Sequence, residues 1–184
     1  MESLVIIIIA IAALAVIIIG WAISVSNTFK RKKIKIDEAL SGVEVALTNR
    51  YDKLTKLLDV AKGYMKHETE TFTQVINLRK GMTAAELSES SAQCDQLAAR
   101  INAVAEGYPE LRSAEIFREL QGGIRDAEAH LQAARRLYNS NVTSYNTAIA
   151  MFPSSIVASS QRLAPAEFFT ADEEKKSDVA MNFN

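Results

Sequence analysis

Between Glu2 and Lys30 the chain carries no charge, and from Leu4 to Ile23 it carries no polar side chain at all. Twenty apolar residues at a helical rise of ~1.5 Å extend ~30 Å, the thickness of the hydrocarbon core of a bilayer. A core helix of a soluble protein would show a polar stripe, and this segment has none. Trp21, near its end, suits the interfacial layer, where an indole keeps one edge wet and the other buried. Ala22-Ile23-Ser24 has the small-x-small form of a signal-peptide cleavage site. However, the leading residues hold Glu2 and no basic residue, and the apolar run exceeds an ordinary signal core, so the segment reads as a retained anchor. A basic cluster follows at once: Lys30, Arg31, Lys32, Lys33 and Lys35. Positive charge on this flank alone predicts a single pass through the cell membrane, with the N-terminus outside and the C-terminal domain cytoplasmic.

Five of the 21 basic residues and one of the 22 acidic residues lie within residues 1–36, which leaves the remainder with a net charge of −5. A mildly acidic domain without a basic stripe argues against nucleic acid as a partner. The roughly 150 residues beyond Ile36 are enough for one domain with its own core. A single cysteine, Cys94, excludes an internal disulfide framework and fits a reducing compartment. Proline is rare and β-branched runs are absent past the anchor, a composition that reads as helix.

Periodicity divides this region into three long helices. Leu47, Tyr51, Leu54, Leu58, Ala61 and Met65 alternate steps of four and three, the seam of a left-handed bundle, and Phe72 and Ile76 extend it. This helix is expected to run from near Ile34 to Lys80 and to continue straight from the anchor. Gly81-Met82-Thr83 interrupts, and Thr83 with Glu86 has the form of a capping box. A second seam runs through Ala84, Leu87, Ser91, Cys94, Ala98, Ile101, Ala105 and Tyr108, ended by Gly107 and Pro109. The third, over residues 115–152, places Phe117, Leu120, Ile124, Ala127, Leu131, Ala134, Tyr138, Asn141, Tyr145, Ala148 and Phe152 on one face, and Pro153 stops it. A short helix over Ser154–Arg162 and a further turn opened by Pro165, carrying Phe168 and Phe169, are expected. The expected fold is all-α: an N-terminal transmembrane helix, then an elongated antiparallel bundle of three long helices plus a short C-terminal helix. The expected divisions are an anchor over residues 1–28, a basic juxtamembrane segment over 29–36, the bundle over 37–170 and a polar tail over 171–184.

Signatures of catalysis are missing. His67 and His130 lie 63 residues apart, and His67-Glu68 has no second histidine at the spacing a zinc helix requires. Glu68 and Glu70 lack the paired Glu-x-x-His motifs of a di-iron bundle. There is no GxSxG, no phosphate-cradling glycine loop and no HExxH. No cofactor, metal or small-molecule substrate is therefore expected, and no enzymatic activity. Cys94, on a seam, reads as a buried inert thiol. Gly122-Gly123, inside a strong helix, is expected to mark close approach of a neighbour rather than a hinge. Tyr138-Asn139 and Tyr145-Asn146 repeat at a spacing of seven, with Asn141 between. Polar seam residues set helix register, and the sharper reading makes Tyr138, Asn141 and Tyr145 a face for a protein partner. The candidate lipid-headgroup contacts are Lys30, Arg31, Lys32, Lys33 and Lys35.

Three blocks carry a family resemblance: NRYDKLTKLLDVAKGYMKHETETF, INAVAEGYPELRSAEIFRELQ, and ARRLYNSNVTSYNTAIAMFP with the closing AEFF. In this order and spacing, over residues 27–170, the chain resembles the LemA family. It departs from that family's pattern at Gly122-Gly123 and at Ala127-Glu128-Ala129-His130. The resemblance implies a bacterial membrane-anchored helical-bundle protein with no assigned catalysis, and a likeness to a magnetosome membrane protein hints at membrane-organising work. The expected function is a non-enzymatic scaffold or adaptor, its partners the lipid bilayer and a protein. The alternative is a lipid-sensing or membrane-organising protein acting through its basic segment.

Overall fold

The computed structural model describes residues 1–64, 78 and 81–169. Every regular element among the described residues is helical: α1 (Glu2–Tyr64), α2 (Ala84–Gly107), α3 (Pro109–Ser113), α4 (Glu115–Ala150) and α5 (Ser154–Ser160). The expected extension of the first helix to Lys80, with Met65, Phe72 and Ile76 on its seam, lies outside the described residues, as do His67, Glu68, Glu70 and the tail from Thr170. The anchor and the first bundle helix are one element of 63 residues. No proline or positive-φ glycine interrupts it, since Gly20, Gly42 and Gly63 have ordinary φ values and only Gly81 turns left-handed, at φ 81°.

The chain forms two compact units that divide within α1 and within α4. The first comprises Met1–Glu38 and Ser140–Glu167. Its core joins Phe29 and Ile36 of α1, Val142, Tyr145 and Ile149 of α4, and Val157 and Ala158 of α5. The spacings of seven, three and four put each set on one helix face. Lys32 Nζ donates to Ser144 Oγ (2.5 Å), Asn141 Nδ2 to the Lys35 carbonyl (3.1 Å), and Gln161 Nε2 to Ser26 Oγ (2.8 Å).

The second unit comprises Ala39–Asn139 and Phe168–Asn184. The α1 residues Val43, Leu47, Leu54, Leu57 and Ala61 pack with Leu87, Cys94 and Ile101 of α2, Leu111 of α3, and Phe117, Ala127 and Leu131 of α4. Between Leu47 and Leu54 the buried position is Arg50, not the expected Tyr51, which is half-buried. The steps of three and four are kept, but through a charged residue.

Thr83 closes the expected capping box: its hydroxyl accepts from the Glu86 amide (3.3 Å), and Glu86 Oε2 accepts from the Thr83 amide (2.8 Å). Two of the four orphan donors of α2 are thereby satisfied. Helix α2 ends at Gly107 as its sequence dictates, and Pro109 then starts α3, a turn too short for periodicity to reveal. Helix α5 ends two residues before the expected Arg162. Arg162 takes φ 53°, and the Arg162 and Leu163 amides donate to Ser159 and Ala158 carbonyls. This is a Schellman closure, with arginine where glycine is commonest.

The expected helical turn at Pro165 does not form. Residues 163–169 have no regular structure, and the backbone groups of Ala166 and Phe169 are taken by side chains. In the first unit, Asn146 accepts from the Ala166 amide (2.8 Å) and donates to the Ala166 carbonyl (2.9 Å). In the second, Asn139 makes the same two bonds with Phe169 (2.8 and 3.0 Å). A carboxamide offers a donor and an acceptor side by side, so one side chain satisfies a residue's whole backbone. The spacing of seven between the two asparagines thus has a specific cause.

Candidate functional site

The first unit contains the features with the clearest bearing on function. From Leu4 to Ile19 every large apolar residue of α1 is more than half exposed, and among the described residues α1 is the one helix long and apolar enough to cross a membrane. Nine residues after Trp21, at ~1.5 Å each, the helix has advanced about 13 Å and the basic cluster begins. Successive residues turn by ~100°, so Lys30, Arg31, Lys32, Lys33 and Lys35 point around the helix as a collar rather than along one stripe. Lys30, Arg31, Lys33 and Lys35 are exposed, and Lys32 is half-buried by its bond to Ser144.

Part of that collar is built into a concavity. Arg31, Lys32 and Lys35 line a cavity of about 260 Å³ together with Thr28 of α1 and Asn141 and Ser144 of α4. Three cations and three neutral hydrogen-bonding side chains suit an anion with several oxygens. A second cavity, of about 580 Å³, has Ile18, Ile19, Trp21, Ile23, Ile156 and Val157 among its apolar lining, and Ser26, Asn27, Lys30, Ser160 and Gln161 as its polar part.

The proposed tyrosine face is not an exposed surface. Tyr138 and Tyr145 are 4% and 3% exposed, because both occupy core-facing positions of α4, and a buried ring presents nothing to a partner. Tyr145 OH donates to the Ala164 carbonyl (3.4 Å), and Asn141 caps the Lys35 carbonyl. These groups act in packing and in holding neighbouring segments.

A polar constellation that periodicity does not show lies in the second unit. Arg50, with its side chain 6% exposed, meets Asp95 of α2 (2.5 Å) and Glu128 of α4 (2.9 Å). One guanidinium therefore ties three helices, and its planar fork can engage two carboxylates at once. Nearby, Arg135 donates to Ser91 and stacks 4.7 Å from the Phe169 ring centre. Cys94 is fully buried beside this network, and desolvation pushes its thiol up to about 11 against the opposing pull of Arg50. That thiol is a packing group, since the thiolate is the reactive form. The only sequence signal for the constellation was a charged residue at a seam position.

Gly122 and Gly123 do not mark a close backbone approach. A Cβ on Gly123 would meet the Lys53 side chain at 3.6 Å, an ordinary contact, and one on Gly122 would reach only Arg125 at 3.9 Å. Lys53 Nζ instead donates to the Gly123 carbonyl (3.0 Å). His130 is exposed on α4.

The family model described as LemA family matches residues 39–183. The chain is also 27% identical over 158 residues to Protein LemA of Metamycoplasma hominis, covering 83% of this chain and 72% of that protein. The match begins at Ala39, past the apolar run and the basic collar, and takes in the Arg50 constellation and both asparagine clamps. On the extent of this match, the chain belongs to the LemA family.

Proposed function

We propose that this protein is a single-pass membrane scaffold: α1 crosses the cell membrane with Met1 outside, and a cytoplasmic helical domain holds other membrane-associated proteins without catalysing a reaction. The observation that carries the reading is the composition of α1. One uninterrupted helix contains both an uncovered apolar run of membrane length and the packed residues Val43 to Ala61. An anchor continuous in sequence with a packed helical body suits holding partners beside the bilayer. In this reading the second unit is the body of the domain, an antiparallel packing of long helices, and the short C-terminal helix α5 belongs to the first unit. The basic collar sets orientation by the bias of positive charge toward the cytoplasmic side. The test is proximity labelling in the native host, with the labelling enzyme fused after Asn184. The scaffold reading expects a small reproducible set of cytoplasmic and membrane neighbours. Diffuse labelling of the whole membrane would remove its support.

A second reading, lipid sensing, is favoured by the cationic cavity of Arg31, Lys32 and Lys35. Each basic residue near an anionic surface contributes about 1 kcal/mol. Native mass spectrometry of protein released from anionic nanodiscs should then show retained anionic lipid, lost when the three residues are changed to Gln. Equal retention by wild type and variant would end this reading.

A further inference from the structure

The corner between α4 and α5 exposes three large apolar side chains: Phe152 is 81% exposed, and Met151 and Ile156 are each 60% exposed. Scattered single apolar residues on a surface need no explanation, but a cluster does. The surrounding sequence is unusual in the same way. Between Arg136 and Arg162 there is no Asp, Glu, Lys, Arg or His, in a chain that is 23% charged. Soluble helical segments keep charges on their outer face, and this one has dispensed with them.

The hydrogen bonds of the first unit place that corner along α1. Ser144 pairs with Lys32 and Asn141 with the Lys35 carbonyl, so α4 advances as α1 recedes. Continuing that register brings Met151 and Phe152 level with Val25 and Ser24, about 5 Å along the axis from Trp21. Helix α5 then lies against the same stretch of α1, fixed by Gln161 on Ser26. Ile156 and Val157 share the larger cavity with Ile18, Trp21 and Ile23, while Lys30 lines the same cavity.

We infer that the α4–α5 corner, through Met151, Phe152 and Ile156, is seated in the interfacial layer of the bilayer that α1 crosses, as a second membrane contact. This rests on the reading of Leu4–Ile23 as the span. A bilayer, rather than another protein, is the occupant because the corner is continuous with the apolar run and level with its end. The absence of charge from Met151 to Gln161 is what a segment at that depth requires, since each buried charge would be costly. Upper acyl chains fill the apolar part of the cavity, and headgroups meet Lys30 and the collar. A single helix is free to tilt and rotate in a bilayer, and interfacial anchors fix both. Two contacts at one level therefore hold the first unit in one attitude to the membrane.

The test uses the full chain in vesicles whose lipids carry bromine on the upper acyl chain, a short-range quencher of tryptophan. Trp21 is the only tryptophan, so the wild type reports the span. A Trp21→Phe, Phe152→Trp variant reports the corner, a conservative change at an exposed position. A Trp21→Phe, Ile116→Trp variant reports an exposed site of the second unit. The inference expects the residue-152 probe to be blue-shifted and to lose as large a share of its emission as Trp21, with the residue-116 probe unquenched. A residue-152 probe that is unquenched while Trp21 is quenched would overturn the inference and leave the span standing. If that probe is blue-shifted yet unquenched, the corner is covered by protein, which also overturns it. If Trp21 itself is unquenched, the span and the inference fall together.

Discussion

Replacing Arg50 by Met should destabilise the second unit by about 2 kcal/mol, less than the loss of a fully buried ion-pair partner. Removing one member of such a pair costs about 3–5 kcal/mol, because the charge left behind has no compensation. Here the guanidinium is buried, with its side chain 6% exposed, but Asp95 and Glu128 are 30% and 33% exposed and regain some hydration when it goes. Methionine keeps most of the aliphatic stem, so little cavity is added. Glu128→Gln or Asp95→Asn alone should cost only about 1 kcal/mol, since Arg50 keeps its other carboxylate and a neutral hydrogen bond. The triple change Arg50→Met, Asp95→Asn, Glu128→Gln should be less destabilising than Arg50→Met by itself, because it removes the two unpaired anions. Urea unfolding of the full chain in mild detergent, followed by far-UV circular dichroism, reads these differences. With an m value of about 2 kcal/mol/M for a domain of this size, Arg50→Met should lower the midpoint by about 1 M. An Arg50→Met midpoint equal to wild type, or a triple variant that adds the single costs, would refute this account of the network.

Four further outcomes follow from the structure. Cys94, its thiol raised from 9.0 to about 11 by burial, should react with iodoacetamide at least about a hundredfold more slowly folded than unfolded. Because the folded thiol stays protonated longer, its stabilising contribution is complete below pH 9.0 and lost as pH rises to about 11, a slope that Cys94→Ala should flatten in pH-dependent urea titrations. Gly122→Ala and Gly123→Ala should each raise the unfolding free energy by about 0.5–1 kcal/mol through helix propensity, since neither Cβ meets backbone; a loss on either would mean an unseen close approach. Asn146→Ala removes both bonds to Ala166 and should cost about 2 kcal/mol, with faster amide exchange at residue 166 and little change at Glu86.

What was legible in the sequence was local. The Thr83–Glu86 box, the stop at Gly107 and the helical spacing of Leu47, Leu54, Phe117 and Leu131 involve residues within a few turns of one another. Arg50 escaped because a hydrophobic seam is read by discarding charges, and its partners lie 45 and 78 positions away on other helices. The clamps of Asn139 and Asn146 escaped for the same reason: a repeat of seven shows that two residues share a helix face, not that each will take the backbone of a segment 20 or 30 residues later. Those clamps override the helix-starting preference of Pro165. Phe152 fits the heptad but falls beyond the last turn of α4, so the periodicity that buries Tyr145 leaves Phe152 exposed.

The central claim, a membrane span with the domain on the cytoplasmic side, is tested most directly by cysteine accessibility. In a Cys94→Ala background, single cysteines at Glu2 and at Asn184 are exposed to a membrane-impermeant maleimide, first on intact cells and then after lysis. The account predicts labelling at residue 2 on intact cells and at residue 184 only after lysis. Labelling at residue 184 on intact cells, with residue 2 protected, would contradict the topology on which the proposed function stands.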